Sequence, residues 1–429
     1  MRILYTIILY LLVPVVLFKL SWSGLKNRDY WTRWNERFGY TDLPAAKRPR
    51  IWLHAVSVGE VQAAVPLVQR LQADYPEFEL LVTTMTPTGS SMVRQRFDSS
   101  VFHTFLPYDL PDAVNRFLDR TRPVLLLVLE TEIWPNLYYQ CAAKNIRVLL
   151  VNARLSEKSF KGYKYFGQFA SRVLGKINLI AAQSATDAAR LAALGADRSR
   201  IIVTGNIKFD INIPASVFSQ GLAIRRLIGA ARPVWIAAST HEGEERIVLA
   251  AHRKVTERFP DCLLILAPRH PERCAGVAAL CQDSGYKILR KTQFEEYRTA
   301  QLDSNVQVYI LDTIGELQAY YAAADIAFVG GSLLTGMGGH NVLEPASLGI
   351  PVIFGKHTDN FKETGVLLID HQAALQISDR LELETTVIRL LGDETLRKRM
   401  GSSGKEFVRQ NQGCVDRVMQ LVSDNIRNL

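Results

Sequence analysis

Two doubly wound α/β lobes with a cleft between them, preceded by one apolar helix, form the architecture that the sequence predicts. Three observations lead there. From about residue 50, short apolar runs alternate with helical periods; the alternation lapses near residue 206; it then restarts and continues. Strands alternating with helices imply parallel βαβ units in sheets covered on both faces. The 429 residues suffice for two or three cores, and 48% apolar with 22% charged residues is ordinary globular composition.

The N-terminus comes first. Residues 3–18 carry no charge, and with Lys19 snorkelling the apolar stretch reaches a length that can span a bilayer. A cleaved signal peptide is the rival, but Leu20-Ser-Trp-Ser23 is a poor small-residue cleavage site. Residues 1–23 are therefore expected to be an uncleaved anchor. Lys19, Lys26, Arg28, Arg33 and Arg37 follow the apolar run and only Arg2 precedes it, which places the body on the cytoplasmic side. The first 50 residues hold nine Lys and Arg against three acids, most of the chain's net +9. A nucleic-acid binder spreads a basic stripe over its folded body. This clustering points instead to an anionic membrane surface. Residues 24–48 read as an interfacial amphipathic segment, with Tyr30, Trp31, Trp34 and Phe38 near one helical face and Arg28, Arg33 and Arg37 around it. Docking of this segment on the protein's own surface is an equal reading.

The first lobe is predicted over 49–211, with strands at Ile51–Ala55, Glu79–Thr83, Val101–Leu106, Val124–Leu129, Val148–Val151, Leu179–Ala182 and Ile201–Thr204. Asn206–Gly221 lacks periodicity and reads as a linker. The second lobe is predicted over 212–429, with strands at Val234–Ala238, Cys262–Leu266, Val306–Leu311, Ile326–Val329 and Val352–Phe354, and helices from Thr385 onward. Five cysteines without CxxC spacing exclude a disulfide framework and a thiolate zinc site.

In open α/β sheets ligands sit beyond the carboxyl ends of strands, so candidate residues are sought there. Ser57-Val-Gly-Glu60 opens the first helix. Ser57 is placed to cap it, and the helix start favours an ionised Glu60 able to accept a proton. Acids are also simply common in first turns. Glu130-Thr-Glu132 ends a fully apolar strand, where a carboxylate is costly unless it faces a wet cleft or a partner. Function and a structural ion pair both fit. Lys208, in Gly205-Asn-Ile-Lys208, reads either as an anion-neutralising cation or as a solvated hinge lysine. Pro268-Arg269-His270 forms a strand-end corner carrying a cation suited to phosphate. Gly315-Glu316-Leu317 is another strand-to-helix turn. Gly330–Asn341 is a glycine-rich loop after a strand, and Asn341 is expected to start a short helix whose N–H groups face an anion, with Glu344 available to ribose hydroxyls. Neither Walker A nor GxGxxG is present, and Asp-x-Asp is absent, so no metal site for a nucleotide sugar is expected.

Taken together, Ser57-Val-Gly-Glu60, Glu130-Thr-Glu-Ile-Trp-Pro135, Gly205-Asn-Ile-Lys208, Ala267-Pro-Arg-His270, Ile314-Gly-Glu-Leu317 and Gly338-Gly-His-Asn-Val-Leu-Glu344 resemble the bacterial 3-deoxy-D-manno-octulosonic acid (Kdo) transferases, glycosyltransferase family 30. The resemblance covers essentially the whole chain. It implies a GT-B fold, with the first lobe binding the acceptor and the second binding CMP-Kdo. It implies inverting, metal-independent and cofactor-free transfer of Kdo to the lipid A precursor (lipid IVA) at the cytoplasmic face of the inner membrane. By the same resemblance Glu60 is the general base, and Glu130 and Lys208 stabilise the transition state. Pro268, Arg269, Gly315, Glu316, Leu317, Asn341, Val342, Leu343 and Glu344 form the CMP site. The alternatives are a GT-B enzyme with a UDP donor and a non-catalytic, membrane-tethered nucleotide-binding module.

Overall fold

The computed structural model describes residues 1–26, 28–297 and 301–427. Asn27 in the predicted interfacial segment, and 298–300 and 428–429 in the predicted second lobe, lie outside the described residues. The chain divides into two units, Met1–Asp210 with Asn411–Leu429, and Ile211–Gln410.

The first unit holds seven parallel strands: β1 (Arg50–His54), β2 (Glu79–Thr84), β3 (Phe102–Phe105), β4 (Pro123–Leu129), β5 (Arg147–Ala153), β6 (Leu179–Ala182) and β7 (Ile201–Val203). Their order is β3-β2-β1-β4-β5-β6-β7. The sequence of β4 shows why it lies at the centre. Leu125, Leu127 and Leu129 enter one core while Leu126 and Val128 enter the other, so both faces are buried and no alternation is visible.

The second unit repeats the plan with β8 (Val234–Thr240), β9 (Leu263–Pro268), β10 (Ile288–Arg290), β11 (Val308–Ile310), β12 (Ile326–Val329), β13 (Val352–Gly355) and β14 (Ala374–Ile377). Their order is β10-β11-β9-β8-β12-β13-β14, again all parallel. In the first sheet the strand order reverses between β1 and β4, and in the second it reverses between β8 and β12, with β11 additionally inserted between β9 and β10. All twelve strands expected from the sequence are present. The edge strands β10 and β14 were not legible, being three and four residues long and mostly half-covered.

Four expectations need correction. The linker predicted over Asn206–Gly221 ends early, because Pro214 is followed at once by the helix Ala215–Ile228, whose Val217, Gly221 and Ile228 are buried. The C-terminal helices begin at Arg380, where Asp379 caps the helix Arg380–Gly392. The predicted second lobe, 212–429, loses its end to the first unit. There the helix Cys414–Ile426 buries Cys414, Val415, Val418, Met419 and Val422 against Val61, Ala64 and Val68. The Asp210 carboxylate accepts from the N–H groups of Gly413 (2.5 Å) and Val415, and the Arg417 guanidinium donates to the Thr204 carbonyl at 2.7 Å. Hydrophobic burial between segments far apart in the chain decides this placement, and no local pattern reports it.

The fourth correction concerns 24–48. Among the described residues no continuous amphipathic helix forms there. Two 3-10 turns, Arg28–Trp31 and Trp34–Phe38, are separated by Arg33 in the left-handed region at φ +58°. Arg33 donates to Glu36 (2.6 Å), Ser90 (3.1 Å) and the His103 carbonyl (3.2 Å). Arg37 is buried, donates to the Met85 carbonyl at 3.0 Å and stacks over Phe105. These two cations face the protein and not a lipid surface.

Candidate active site

The carboxyl ends of β1 and β4 flank the order reversal of the first sheet, the place where open α/β sheets take ligands. Glu60 stands just after β1, in the first turn of the helix Val58–Asp74. Ser57 caps that helix by accepting from the Glu60 N–H at 3.4 Å. Its hydroxyl donates back to Glu60 Oε1 at 2.9 Å, and the Val56 N–H donates to Oε2 at 2.7 Å. This capping-box arrangement fixes the carboxylate at the strand–helix corner. The helix start was expected to keep Glu60 ionised. Burial outweighs it and raises the carboxyl above its ordinary value, opposed by the Val56 N–H and reinforced by the charge of Glu130.

Glu130 follows β4 directly, with φ +57°, a left-handed conformation unusual for a residue carrying a Cβ. Its N–H still donates to the Val151 carbonyl at 2.9 Å, so the sheet continues one step while the side chain is redirected. Lys208 Nζ lies 3.8 Å from Glu130 Oε1, with both side chains about one-third exposed. Lys208 sits in the 3-10 turn Ile207–Phe209. Asn206 caps the turn by accepting from the Lys208 N–H at 3.0 Å, and the buried Asn152 accepts from the Ile207 N–H at 3.0 Å. Asn152 also has φ +57°. It positions the lysine turn from β5, and nothing in its sequence context signalled that role. The fold thus brings Glu60, Glu130 and Lys208 together.

Glu132 joins them. Its carboxyl is pushed up to about 7, by burial first and then by the charges of Glu60 and Glu130. Three carboxyl groups beside one lysine cannot all ionise cheaply near neutral pH, and burial with two neighbouring charges favours the neutral form of Glu132. The sequence pairs it with Glu130 but assigns it no part. The Tyr138 hydroxyl donates to the Glu132 carbonyl and holds the loop.

In the second unit the carboxyl ends of β8, β9 and β12 carry the other candidates. Pro268 closes β9, and the Arg269 N–H donates to the Thr240 carbonyl at 3.0 Å. The Arg269 side chain is exposed, with no carboxylate paired to it among the described residues. Arg273, by contrast, is tied to the buried Glu245 at 2.9 Å. Around Arg269 stand three histidines. His241 and His340 are stacked, with centroids 5.0 Å apart, planes 5° apart and Nε2 atoms separated by 2.8 Å. His270 meets His241 edge-on at 5.8 Å. A 2.8 Å contact between two ring nitrogens admits one proton between them, so the two rings are not both protonated at Nε2. Burial, reinforced by Arg269, pulls His340 down to about 4.

The glycine-rich loop differs from expectation. Its first N–H groups, those of Gly331, Ser332 and Leu333, donate to the carboxylate of Glu244 at 2.7, 3.0 and 2.9 Å. The His241 N–H adds a fourth bond at 3.0 Å. An internal anion fills this part of the loop. Gly331, at φ +69°, is required here because a Cβ would stand 2.9 Å from the His340 ring. The helix begins at Leu343 and not at Asn341, and it has five residues. Asn341 forms a side-chain turn, accepting from the Leu343 N–H at 3.0 Å and donating to Glu344 at 3.1 Å. Val342 and Leu343 are core residues, so only their backbone is available to a ligand. Gly315, at φ +94°, turns the chain before Glu316, whose carboxylate is held by Lys291 (2.9 Å) and Thr313 (2.5 Å), and before Leu317, which starts the helix Leu317–Ala323. Sequence reasoning missed His241, Glu244 and Glu245. The signal was available in Thr240-His-Glu-Gly-Glu-Glu245, three acids within five residues of a strand end.

A family model described as 3-Deoxy-D-manno-octulosonic-acid transferase (kdotransferase) matches residues 32–211. The chain is 41% identical over 424 residues to 3-deoxy-D-manno-octulosonic acid transferase of Haemophilus influenzae, covering 98% of each sequence. It belongs to the Kdo transferase family. The Kdo transferase of Bordetella pertussis is 34% identical, with 98% of each sequence covered. As a Kdo transferase the chain is a glycosyltransferase, and its two parallel-sheet units are of the GT-B type. A UDP-GlcNAc 2-epimerase from Neisseria meningitidis, solved bound to UDP-GlcNAc, shares that fold with a TM-score of 0.54 at 12% identity, covering 89% of this chain and 100% of that one.

Proposed function

We propose that this Kdo transferase moves Kdo from CMP-Kdo to the lipid A precursor, lipid IVA, with inversion and without a metal ion. The observation that carries the reading is Glu60 held at the β1–β4 corner beside the Glu130–Lys208 pair. Inversion at the anomeric carbon needs one base to take the proton of the attacking hydroxyl, and a buried carboxylate with a raised pKa is suited to that step. Glu130 and Lys208 then balance charge as the donor bond breaks. The departing CMP phosphate is assigned to the exposed Arg269, with Pro268 setting the corner, and the backbone at Gly315–Leu317 and Asn341–Glu344 holds the rest of CMP. The absence of Asp-x-Asp from the sequence and the use of Arg and Lys as neutralising groups support metal independence. The acceptor is a lipid, so the apolar N-terminal helix is assigned the task of holding the body at the cytoplasmic face of the inner membrane, against its anionic surface.

Two measurements test this. Transfer from CMP-Kdo to lipid IVA, followed by mass spectrometry, is expected to proceed unchanged in excess EDTA, and loss of activity on chelation would overturn the metal-free mechanism. Calorimetry is expected to show CMP binding at least about tenfold tighter than UDP, a difference of about 1.4 kcal/mol. Preference for UDP would favour the other GT-B reading.

A further inference from the structure

We infer that the helix Arg2–Lys26 lies in the plane of the membrane surface and does not cross it. The inference rests on the membrane reading above. The helix has 25 residues, about 37 Å at 1.5 Å per residue, so upright it would carry Arg2 across a hydrocarbon core of about 30 Å. Yet its first turns are hydrogen-bonded to the same unit that its last turn is tied to. The Arg2 guanidinium donates to Asn136 Oδ1 at 3.0 Å and stacks over the Tyr139 ring at 4.5 Å. The Tyr5 hydroxyl donates to the buried Asp109 carboxylate at 2.9 Å. Thr6 and Asn136 exchange hydrogen bonds at 3.0 and 3.2 Å, and the Tyr10 hydroxyl donates to Asp112 at 2.5 Å. At the other end the Trp31 indole packs against Gly24 and donates to the Ser21 carbonyl at 3.0 Å. Two residues after Trp31 come the Arg33–Arg37 contacts already described. Both ends of the helix therefore stand against one body, on one side of any bilayer.

The two faces divide as an in-plane helix requires. Tyr5, Leu9, Val13, Leu17, Leu20 and Gly24, spaced three and four apart, are half-covered or buried. On the opposite face Ile7, Leu11, Val15, Phe18, Trp22 and Leu25 are each more than half exposed. A continuous apolar row of this size exceeds what a soluble surface tolerates. Its occupant is the outer few ångströms of a bilayer, since the exposed cations Lys19 and Arg28 border the row and complement anionic headgroups.

The test uses the full chain in its own membranes. With a protease-cleavable tag at each terminus, both tags are expected to be cut in sealed inverted inner-membrane vesicles and neither in spheroplasts. The variant pair Thr6→Cys with Asn136→Cys is expected to form a disulfide in those vesicles on oxidation, against a background of five buried native cysteines. An N-terminal tag cut only in spheroplasts, together with no cross-link, would overturn the in-plane placement and leave the membrane reading intact. Recovery of the chain in the soluble fraction, or as a dimer without affinity for phosphatidylethanolamine–phosphatidylglycerol vesicles, would remove the membrane reading and this inference with it.

Discussion

Glu60→Gln is expected to leave a folded protein that transfers Kdo about 10²–10⁴-fold more slowly, the range that one general base supplies. Gln retains an oxygen for the Val56 N–H, and its amide N–H₂ can donate to the Ser57 hydroxyl in place of the lost bond, so the thermal midpoint should move little. Glu60→Ala removes both acceptors and should add a stability loss of about 1 kcal/mol, typical of a lost helix cap. The pH profile carries the sign. A base works deprotonated, and burial raises this carboxyl, so the acidic limb of kcat/KM is expected above the ordinary carboxylate range and should vanish in Glu60→Gln. Glu132 is favoured in its neutral form across that limb, so Glu132→Gln should leave the limb close to its place and keep most activity. Near-normal turnover by Glu60→Gln would disqualify Glu60. Loss in Glu132→Gln as complete as that in Glu60→Gln would transfer the role to Glu132.

Glu244→Ala is expected to be the most destabilising single change in the second unit. The side chain is fully buried and accepts from four backbone N–H groups, those of His241, Gly331, Ser332 and Leu333. Each buried donor left unpaired costs about 1–3 kcal/mol, so a loss of about 4 kcal/mol or more is expected. For a unit of this size that is a fall in midpoint on the order of 10 °C by scanning calorimetry. Glu244→Gln should be nearly as harmful, because its amide N–H₂ would face donors. The same loop carries His340, so CMP binding should weaken in whatever folded protein remains. A midpoint within about 1 °C of the parent would show that the loop is held by something other than this carboxylate.

The parallel α/β character was legible because strands buried on both faces need unbroken apolar runs, as in Val124-Leu-Leu-Leu-Val-Leu129. So was the placement of Glu60, Glu130 and Arg269 at strand ends, since a polar group directly after such a run has only the sheet edge to occupy. Edge strands β10 and β14 were illegible because one-sided cover on three or four residues leaves no period to read. The segment 24–48 was only half legible. Aromatic and basic residues at helical spacing fit a lipid surface and a protein surface equally well, and the hydrogen bonds that Arg33 and Arg37 make to the body assign those two to the protein surface.

The amino-acid order by itself determined that two runs of βαβ units follow an apolar N-terminal stretch, and which charged residues end up at strand termini. Both depend on hydrophobic period and turn chemistry, which act over a few residues. Tertiary structure alone decided that Glu132 shares its field with Glu60 and Glu130, that Glu244 occupies the glycine-rich loop, and that the last helix belongs to the first unit. These depend on charges and apolar faces brought together from distant parts of the chain, and burial and Coulomb energy are set by distance in space, whatever the separation in sequence.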